Sequence, residues 1–513
     1  MSARFVSVDR ETPMLLPPDL RDWVPEDDLV HFVIEAVDRL GLEKFRVNHR
    51  GRGDEQFPPH MMLALLIYCY ANGIFSSRKI ERATYRDVAV RYLTAGTHPD
   101  HDTICKFRRE NLEAFRESFL DVLELARELK LLKLGTVSID GTHIKANASI
   151  DQNVTYQRAV EIREQLRLDI EELLKRAEQA DAEDEDSQKL PAEVARREKL
   201  AAKMDRAIEE LEARARQRQQ EADADFENKK TERREKEKKT GKKCRGKEPK
   251  RREVKAGDSG QQCNLSDPDA RIMRKNKRAG FTQSFNAQAA VDAGGSQLIV
   301  GQHVSQSPSD GGELEKAVAS IPSQLGKPKA ALSDAGYVNA DAFDRLEKEG
   351  IEIYCSVHRE DAHSERHYDF RPGEPSKRKP KEPTDPRLIA MREKLRTEEG
   401  KAIYGKRNHT VEPVFGIIKE AMGFRGFSLR GKEKISGAWT LVCLAYNLKR
   451  LHKLFSGPKS GPSKPDSPLG CDQNASAASM RAVVARLSRA IRPHMIRSSG
   501  ISPDPLALTP TVS

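Results

Sequence analysis

From Trp23 to about Leu134 apolar residues recur three and four positions apart, the spacing of helices with one buried face. In DDLVHFVIEAVDRLGL the stripe is Leu29, Val33, Val37 and Leu40, and Gly41 follows as a C-cap. PPHMMLALLIYCYANGI is apolar nearly all round and predicts a buried helix, with Pro58 and Pro59 at its start. SSRKIERATYRDVAVRYLTAG and PDHDTICKFRRENLEAFRESFLDVLELARELKLL complete an all-helical module with basic faces that can dock on a duplex.

At TVSIDGTHIKANAS the period shortens to two, with Val137 and Ile139 on one side of a strand that meets a turn at Gly141. The next strand-like stretches, GFTQSFNAQAAVD and SQLIVGQHV, read as a β-hairpin but follow only after a long insertion. Within it, YQRAVEIREQLRLDIEELLKRAEQ and REKLAAKMDRAIEELEARARQRQ predict two charged helices joined by an acidic stretch. Leu200, Met204, Ala207 and Leu211 give the second one a coiled-coil seam, so an antiparallel hairpin is expected. The basic ENKKTERREKEKKTGKKCRGKEPKRREVK that follows is low in complexity, and disorder without DNA is expected there.

Beyond the insertion β and α signals alternate. GGELEKAVASIPSQL predicts a helix, PKAALSDAGY a strand and turn, ADAFDRLEKEG a helix and IEIYCSV a strand. The expected division is a helical DNA-binding module at 1–134, the first strand at 135–151 and the insertion at 152–262. The remainder of an α/β domain with a mixed sheet flanked by helices follows at 263–455, then a basic tail rich in Gly, Pro and Ser at 456–513.

Charge narrows the partner. A formal net charge of +10 and a pI near 9.1 favour an anionic partner, and the lack of an apolar run of membrane length selects nucleic acid over a bilayer. A cytoplasmic location is expected, since the first residues lack the apolar core of a secretory signal and the cysteines lack paired CxxC spacing.

Three carboxylates carry the candidate chemistry. Asp140 ends the first strand, Asp334 ends the strand in KAALSDAG, and ligands gather at the carboxyl ends of strands in α/β sheets. Glu412 stands at a helix start, with Thr410 as N-cap and Pro413 in the first turn. Val414, Ile417, Ile418 and Ala421 form that helix's apolar stripe, and Lys419 shares a face with Glu412. Converging carboxylates bind hard divalent ions such as Mg²⁺, with Mn²⁺ as a substitute. Alone, each has a structural reading: an aspartate before glycine forms turns, and a first-turn glutamate complements the helix dipole. Cys355, His358, His363 and His367 have spacings that could suit Zn²⁺, although Cys355 is equally a core thiol.

Linked strings change the balance. FPPHMMLALLIYCYANGIFSSRKIERATYRD, HPDHDTICKFR, SIDGTHIKANAS, DPDARIMRKNKRAGFTQSFNAQAAVD, LSDAGY, and VEPVFGIIK followed by FRGFSLRGKEK occur in one order over about residues 5–150 and 265–455. In these the chain resembles bacterial insertion-sequence DDE transposases with an InsH-like N-terminal domain. The resemblance implies an RNase H-like catalytic domain with Asp140, Asp334 and Glu412 as catalytic and metal-binding triad. Tyr404, Arg407 and Lys419 match the family's DNA-contacting signature, except that four residues instead of three separate Arg407 from Glu412. Ala438 precedes Trp439 where many relatives carry an acid, so that helix supplies no third carboxylate.

The activity so implied is metal-dependent DNA strand cleavage and strand transfer at the ends of a mobile element, by a homo-oligomer that pairs the two ends. The helical module would bind terminal inverted repeats, with Arg78, Lys79, Lys106, Arg108 and Arg109 as first contacts, and the run from Lys229 to Arg252 would add phosphate contacts insensitive to sequence. The competing readings are a relic that only nicks or binds DNA, and a basic scaffold with no catalysis.

Overall fold

The structure is a computed structural model that describes residues 19–41, 43–47, 55–183, 190–241, 247–257, 260–274, 279–357 and 383–456. Six helices come first: α1 (Leu29–Val37), α2 (Pro59–Ala71), α3 (Ser77–Arg86), α4 (Val88–Leu93), α5 (His101–Glu110) and α6 (Leu112–Glu128). Caps set several of their starts. Asp28, Asp87 and Asp100 each accept a backbone N–H of the first turn, at 2.8, 3.1 and 2.6 Å. α2 is buried from Met62 to Ala71, as an all-round apolar helix must be.

The rest of the chain runs β1 (Thr136–Lys145), β2 (Asn153–Thr155), α7 (Tyr156–Glu183), α8 (Leu190–Thr240), β3 (Gln262–Asn264), β4 (Arg271–Met273), β5 (Thr282–Asp292) and β6 (Ile299–Ser305). It continues through α9 (Leu314–Ala319), β7 (Ala330–Ser333), α10 (Ala340–Lys348), β8 (Glu352–Cys355), α11 (Pro386–Arg396), α12 (Glu398–Gly405) and α13 (Val411–Gly416). A π-helical turn (Ile417–Ala421) extends α13, and α14 (Lys432–Ser456) closes the described chain.

The main sheet has β4 and β6 beside β5, then β1, β7 and β8 in that order. β5 is antiparallel to β1, β4 and β6, while β7 is parallel to both β1 and β8, so the sheet is mixed. α14 is apolar almost all round from Trp439 to Leu448 and is buried there. Asn447 fixes it to the sheet by accepting from Ile299 N at 2.9 Å and donating to Ile299 O at 2.8 Å. One continuous apolar core joins α1–α6, α14 and the sheet, so the change of composition near residue 134 is not a break in packing.

Three expectations of the sequence are corrected. β1 does not stop at Gly141: it pairs with β5 without interruption from Val137↔Asp292 to Lys145↔Ser284, and Ile144 beyond the glycine is buried. The antiparallel hairpin forms, with Tyr156 donating to Glu212 at 3.0 Å, Arg163 facing Asp205 at 3.6 Å and Arg197 facing Asp169 at 3.7 Å. Met204, Ala207 and Leu211 are buried in its seam while Leu200 is exposed.

The largest correction concerns the basic run. α8 is 51 residues long and carries ENKKTERREKEKKT as helix, where disorder was expected. Glu, Lys and Arg are strong helix formers, and pairs such as Arg233–Glu237 at 3.4 Å add to them. Residues 247–255 then return along α8, tied by Arg251 to Asp223 at 2.7 Å and by Val254 N to Gln219 at 2.7 Å. The tail after residue 456, and the segment around 242–246, lie outside the described residues. No helix among the described residues is long and apolar enough to cross a membrane.

Candidate active site

The parallel pairing of β1 with β7 aligns Thr136 with Ala330, Val137 with Ala331 and Ser138 with Leu332. Continuing that register by two residues sets Asp334 opposite Asp140. Two residues remote along the chain thus stand side by side at the point where β7 ends and β1 runs on. Their oxygens are oriented locally: Asp140 Oδ1 accepts from Gly141 N and Asp334 Oδ1 from Gly336 N, each at 2.8 Å. Cys355 on the neighbouring β8 is buried and donates to Asp334 O at 3.1 Å.

Burial, and next the Asp334 charge, push the Asp140 carboxyl up to about 7. The Gly141 N–H and Arg407 oppose that rise, and Asp310 adds to it. A carboxylate so destabilised prefers to hold a proton or a cation.

Arg407 enters from the short 3₁₀ turn before α13 and is 8% exposed. Its guanidinium lies 5.9 Å from the Tyr404 ring centroid, and its Nη2 is 3.9 Å from Glu412 Oε1. Burial works to lower its pKa, but Tyr404, Asp140, Asp334 and Glu412 together outweigh burial and raise it. Arg407 therefore faces all three acids of the expected triad, and its contact with Glu412 is shared rather than private. Glu412 itself is in the first turn of α13 with its side chain 58% exposed. Lys419 on the π turn donates to Thr142 of β1, two residues past Asp140, which ties this segment to the strand.

Local details of that segment depart from the sequence reading. Thr410 precedes α13 but makes no cap: its hydroxyl donates to Lys406 O, closing the preceding turn. The apolar stripe is Val411, Val414, Phe415 and Ile418, whereas Ala421 is exposed, because the π turn shifts the phase of the helix.

Asp310, Asn286 and Gln288 are site neighbours that no sequence motif marked. Asn286 and Gln288 are buried on β5, and each donates to Asp310 Oδ1 at 2.7 Å. Gln288 also accepts from the buried Tyr337 hydroxyl, and its carbonyl accepts from Trp439 Nε1 at 3.1 Å. The signal for Asn286 and Gln288 was the alternation of Ser284, Asn286 and Gln288 with the apolar Phe285, Ala287 and Ala289 in QSFNAQAAVD. Gly141 is required beside them: a Cβ there would stand 2.1 Å from Gln288 Nε2, 2.7 Å from Asn286 Oδ1 and 2.8 Å from Asp310 Oδ1. We expect Gly141→Ala to cost about 2–4 kcal/mol by overpacking and by breaking these bonds. Urea unfolding of the variant checks this, and a cost within 0.5 kcal/mol of zero, a margin expected only of ordinary surface changes, counts against the close packing.

Among the described residues no group of three or more His, Cys, Asp or Glu is gathered closely enough to hold a metal ion. Of the zinc set, His358, His363 and His367 lie outside the described residues, and Cys355 is a core thiol raised to about 12 by burial. The Asp334 charge acts on Asp140, and Arg407 links this pair to Glu412. Hard carboxylate donors in partial burial suit Mg²⁺ or Mn²⁺, which keep several waters and need few protein ligands.

Of the basic residues expected on DNA, Arg78, Lys79, Lys106 and Arg109 are exposed. Arg108 is not. It is 5% exposed and donates to Tyr70 Oη at 3.0 Å, to Phe75 O at 2.9 Å and to Ser77 Oγ, so it anchors the start of α3 instead of meeting a ligand.

A mixed sheet with an aspartate on β1 and another just past β7, beside an arginine that also faces a helical glutamate, carries a carboxylate site. Two family models match the chain: "Transposase domain (DUF772)" over residues 18–110 and "Transposase DDE domain" over residues 377–452. Together they support an insertion-sequence DDE transposase. The first spans α1–α5 and the second spans Tyr404, Arg407, Glu412 and Lys419. No curated protein and no solved structure matches the chain.

Proposed function

We propose that this transposase is a metal-dependent enzyme that cleaves DNA strands at the ends of its own element and transfers them to a target, with Asp140, Asp334 and Glu412 as catalytic and metal-binding residues. The reading is supported by the register of β1 with β7, which when continued past the end of β7 brings Asp334 level with Asp140, and by the Asp140 carboxyl, which burial and the Asp334 charge raise and Arg407 faces. The strand order, with β6, β5 and β1 antiparallel and then β7 and β8 parallel, and β4 added antiparallel to β5, supports an RNase H-like catalytic domain.

Bound there, Mg²⁺ or Mn²⁺ would neutralise the phosphodiester and lower the pKa of the attacking hydroxyl or water. Asp140 and Asp334 would hold the ion. Glu412, on the exposed first turn of α13, would close the site from the opposite side. Arg407 would keep the three acids from repelling one another and, with Tyr404 and Lys419, orient the DNA backbone. The exposed residues of the helical module would bind the terminal inverted repeats, and two copies of the chain would bring both ends together. Such an enzyme works on DNA in the cytoplasm.

The test is incubation with Mg²⁺ or Mn²⁺ and DNA carrying the element's ends. End-specific breaks and strand-transfer joints are expected; nicks without joints would favour the relic, and binding without breaks the scaffold. A second expectation concerns α3. Arg78→Ala combined with Lys79→Ala should lower the slope of log affinity against log salt by about 2 for duplex DNA of any sequence. Fluorescence anisotropy in EDTA measures this, and an unchanged slope would remove α3 from the DNA interface.

A further inference from the structure

Asp310 lies outside the acidic triad, yet its carboxylate stands beside Gly141 and Gly336, the glycines that follow Asp140 and Asp334 in the chain. A Cβ on Gly141, next to Asp140, would stand 2.8 Å from Asp310 Oδ1. One on Gly336, which binds the Asp334 carboxylate through its N–H, would stand 3.5 Å from Asp310 Oδ2. The carboxylate is fixed in this position by the two side-chain amides of Asn286 and Gln288, each bonded to Oδ1 at 2.7 Å. Neither amide neutralises charge. The loop backbone is held too, with Glu313 N donating to Asp310 O at 2.9 Å at the approach to α9.

Two neutral donors are an unusual investment for an aspartate. A carboxylate that served only the loop could be replaced by an amide or pair with a cation, whereas this one is bonded by two neutral amides next to the glycines that neighbour Asp140 and Asp334. Asp310 is not grouped tightly enough with them to share a coordination shell. Its field reaches Asp140 nevertheless, and acts on the neighbouring Tyr337 as well.

We propose that Asp310 is a positioning carboxylate of the cation site: clamped by Asn286 and Gln288, it raises the affinity of the Asp140–Asp334 pair for a divalent ion without being a ligand. The inference rests on the metal-dependent reading above. A fixed negative charge a few ångströms from a doubly charged ion, across a partly wet protein interior, strengthens binding by about ten-fold or more.

The experiment is Mn²⁺ titration of the full chain without DNA, read by calorimetry or by the loss of the free-ion electron paramagnetic resonance signal. Asp310→Asn keeps both acceptor contacts and removes only charge. Its Mn²⁺ dissociation constant should rise about ten-fold, while its melting midpoint in EDTA should rise or stay level because repulsion is relieved. Asp310→Glu, which keeps the charge, should remain within about three-fold of the wild type, and Glu347→Gln, an exposed acid on α10, should match it. Unchanged affinity in Asp310→Asn overturns the proposal, as does a lower melting midpoint or failure to fold, since either makes the residue structural. If the wild type or Asp140→Asn shows that no ion binds at the pair, the metal-dependent reading fails first, and that result is distinct from a normal Asp140 dependence with an indifferent Asp310.

Discussion

Asp140→Asn is expected to reduce end cleavage by at least about a thousand-fold, because the isosteric amide keeps the strand geometry and loses the anionic oxygen that would hold the ion. The same substitution should stabilise the metal-free protein. The carboxyl stands at about 7 in the folded chain against an ordinary value of 3.8, so the folded state binds the proton more tightly than the unfolded state does. Stability from this group is therefore fully present below about pH 4 and is lost as pH rises through about 7. At pH 8 in EDTA the amide should gain on the order of 2 kcal/mol, and the gain should vanish near pH 4. Mn²⁺ reverses the comparison, since only the wild type binds it and is stabilised by it. Melting curves at the two pH values, with EDTA and with Mn²⁺, give all four numbers. Equal midpoints for wild type and variant at pH 8 in EDTA would mean that Asp140 is not under charge stress, and retained cleavage would mean that it is not catalytic.

Arg108→Met is expected to cost about 3 kcal/mol of stability. The methionine fills much of the volume but leaves Tyr70 Oη, Phe75 O and Ser77 Oγ without their buried donor, and each orphaned group costs about 1 kcal/mol or more. α3 begins at Ser77, so the loss is concentrated on the helix that presents Arg78 and Lys79. Urea denaturation reads the global cost, and amide exchange over 77–86 reads its location. A variant as stable as the wild type would return Arg108 to the set of available DNA contacts.

How much of this could be read from the chain alone depends on the range of the interactions concerned. Local periodicity was enough for α2, for the β5–β6 hairpin, for β7, α10 and β8, and for the antiparallel pairing of α7 with the middle of α8. In each, the apolar repeat of a few residues matches the face that is buried. Low complexity misled over α8, because composition signals weak burial while the Glu, Lys and Arg side chains still favour helix. Gly141 misled in another way. A glycine after an aspartate is a turn by local preference, and only the approach of Gln288, Asn286 and Asp310 from across the sheet makes it the one residue that fits a continuous strand.

The sequence by itself determined the elements, the basic character and the identity of three acids set among family-like strings, since these are properties of residues and their near neighbours. Tertiary structure decided the rest. The parallel register of β1 with β7 put Asp334 level with Asp140, packing turned Arg108 inward and Arg407 toward three carboxylates, and a loop after β6 brought Asp310 beside them. Charge and burial act through space, and the chain separates these residues by many positions, so no pattern along it records which of them meet.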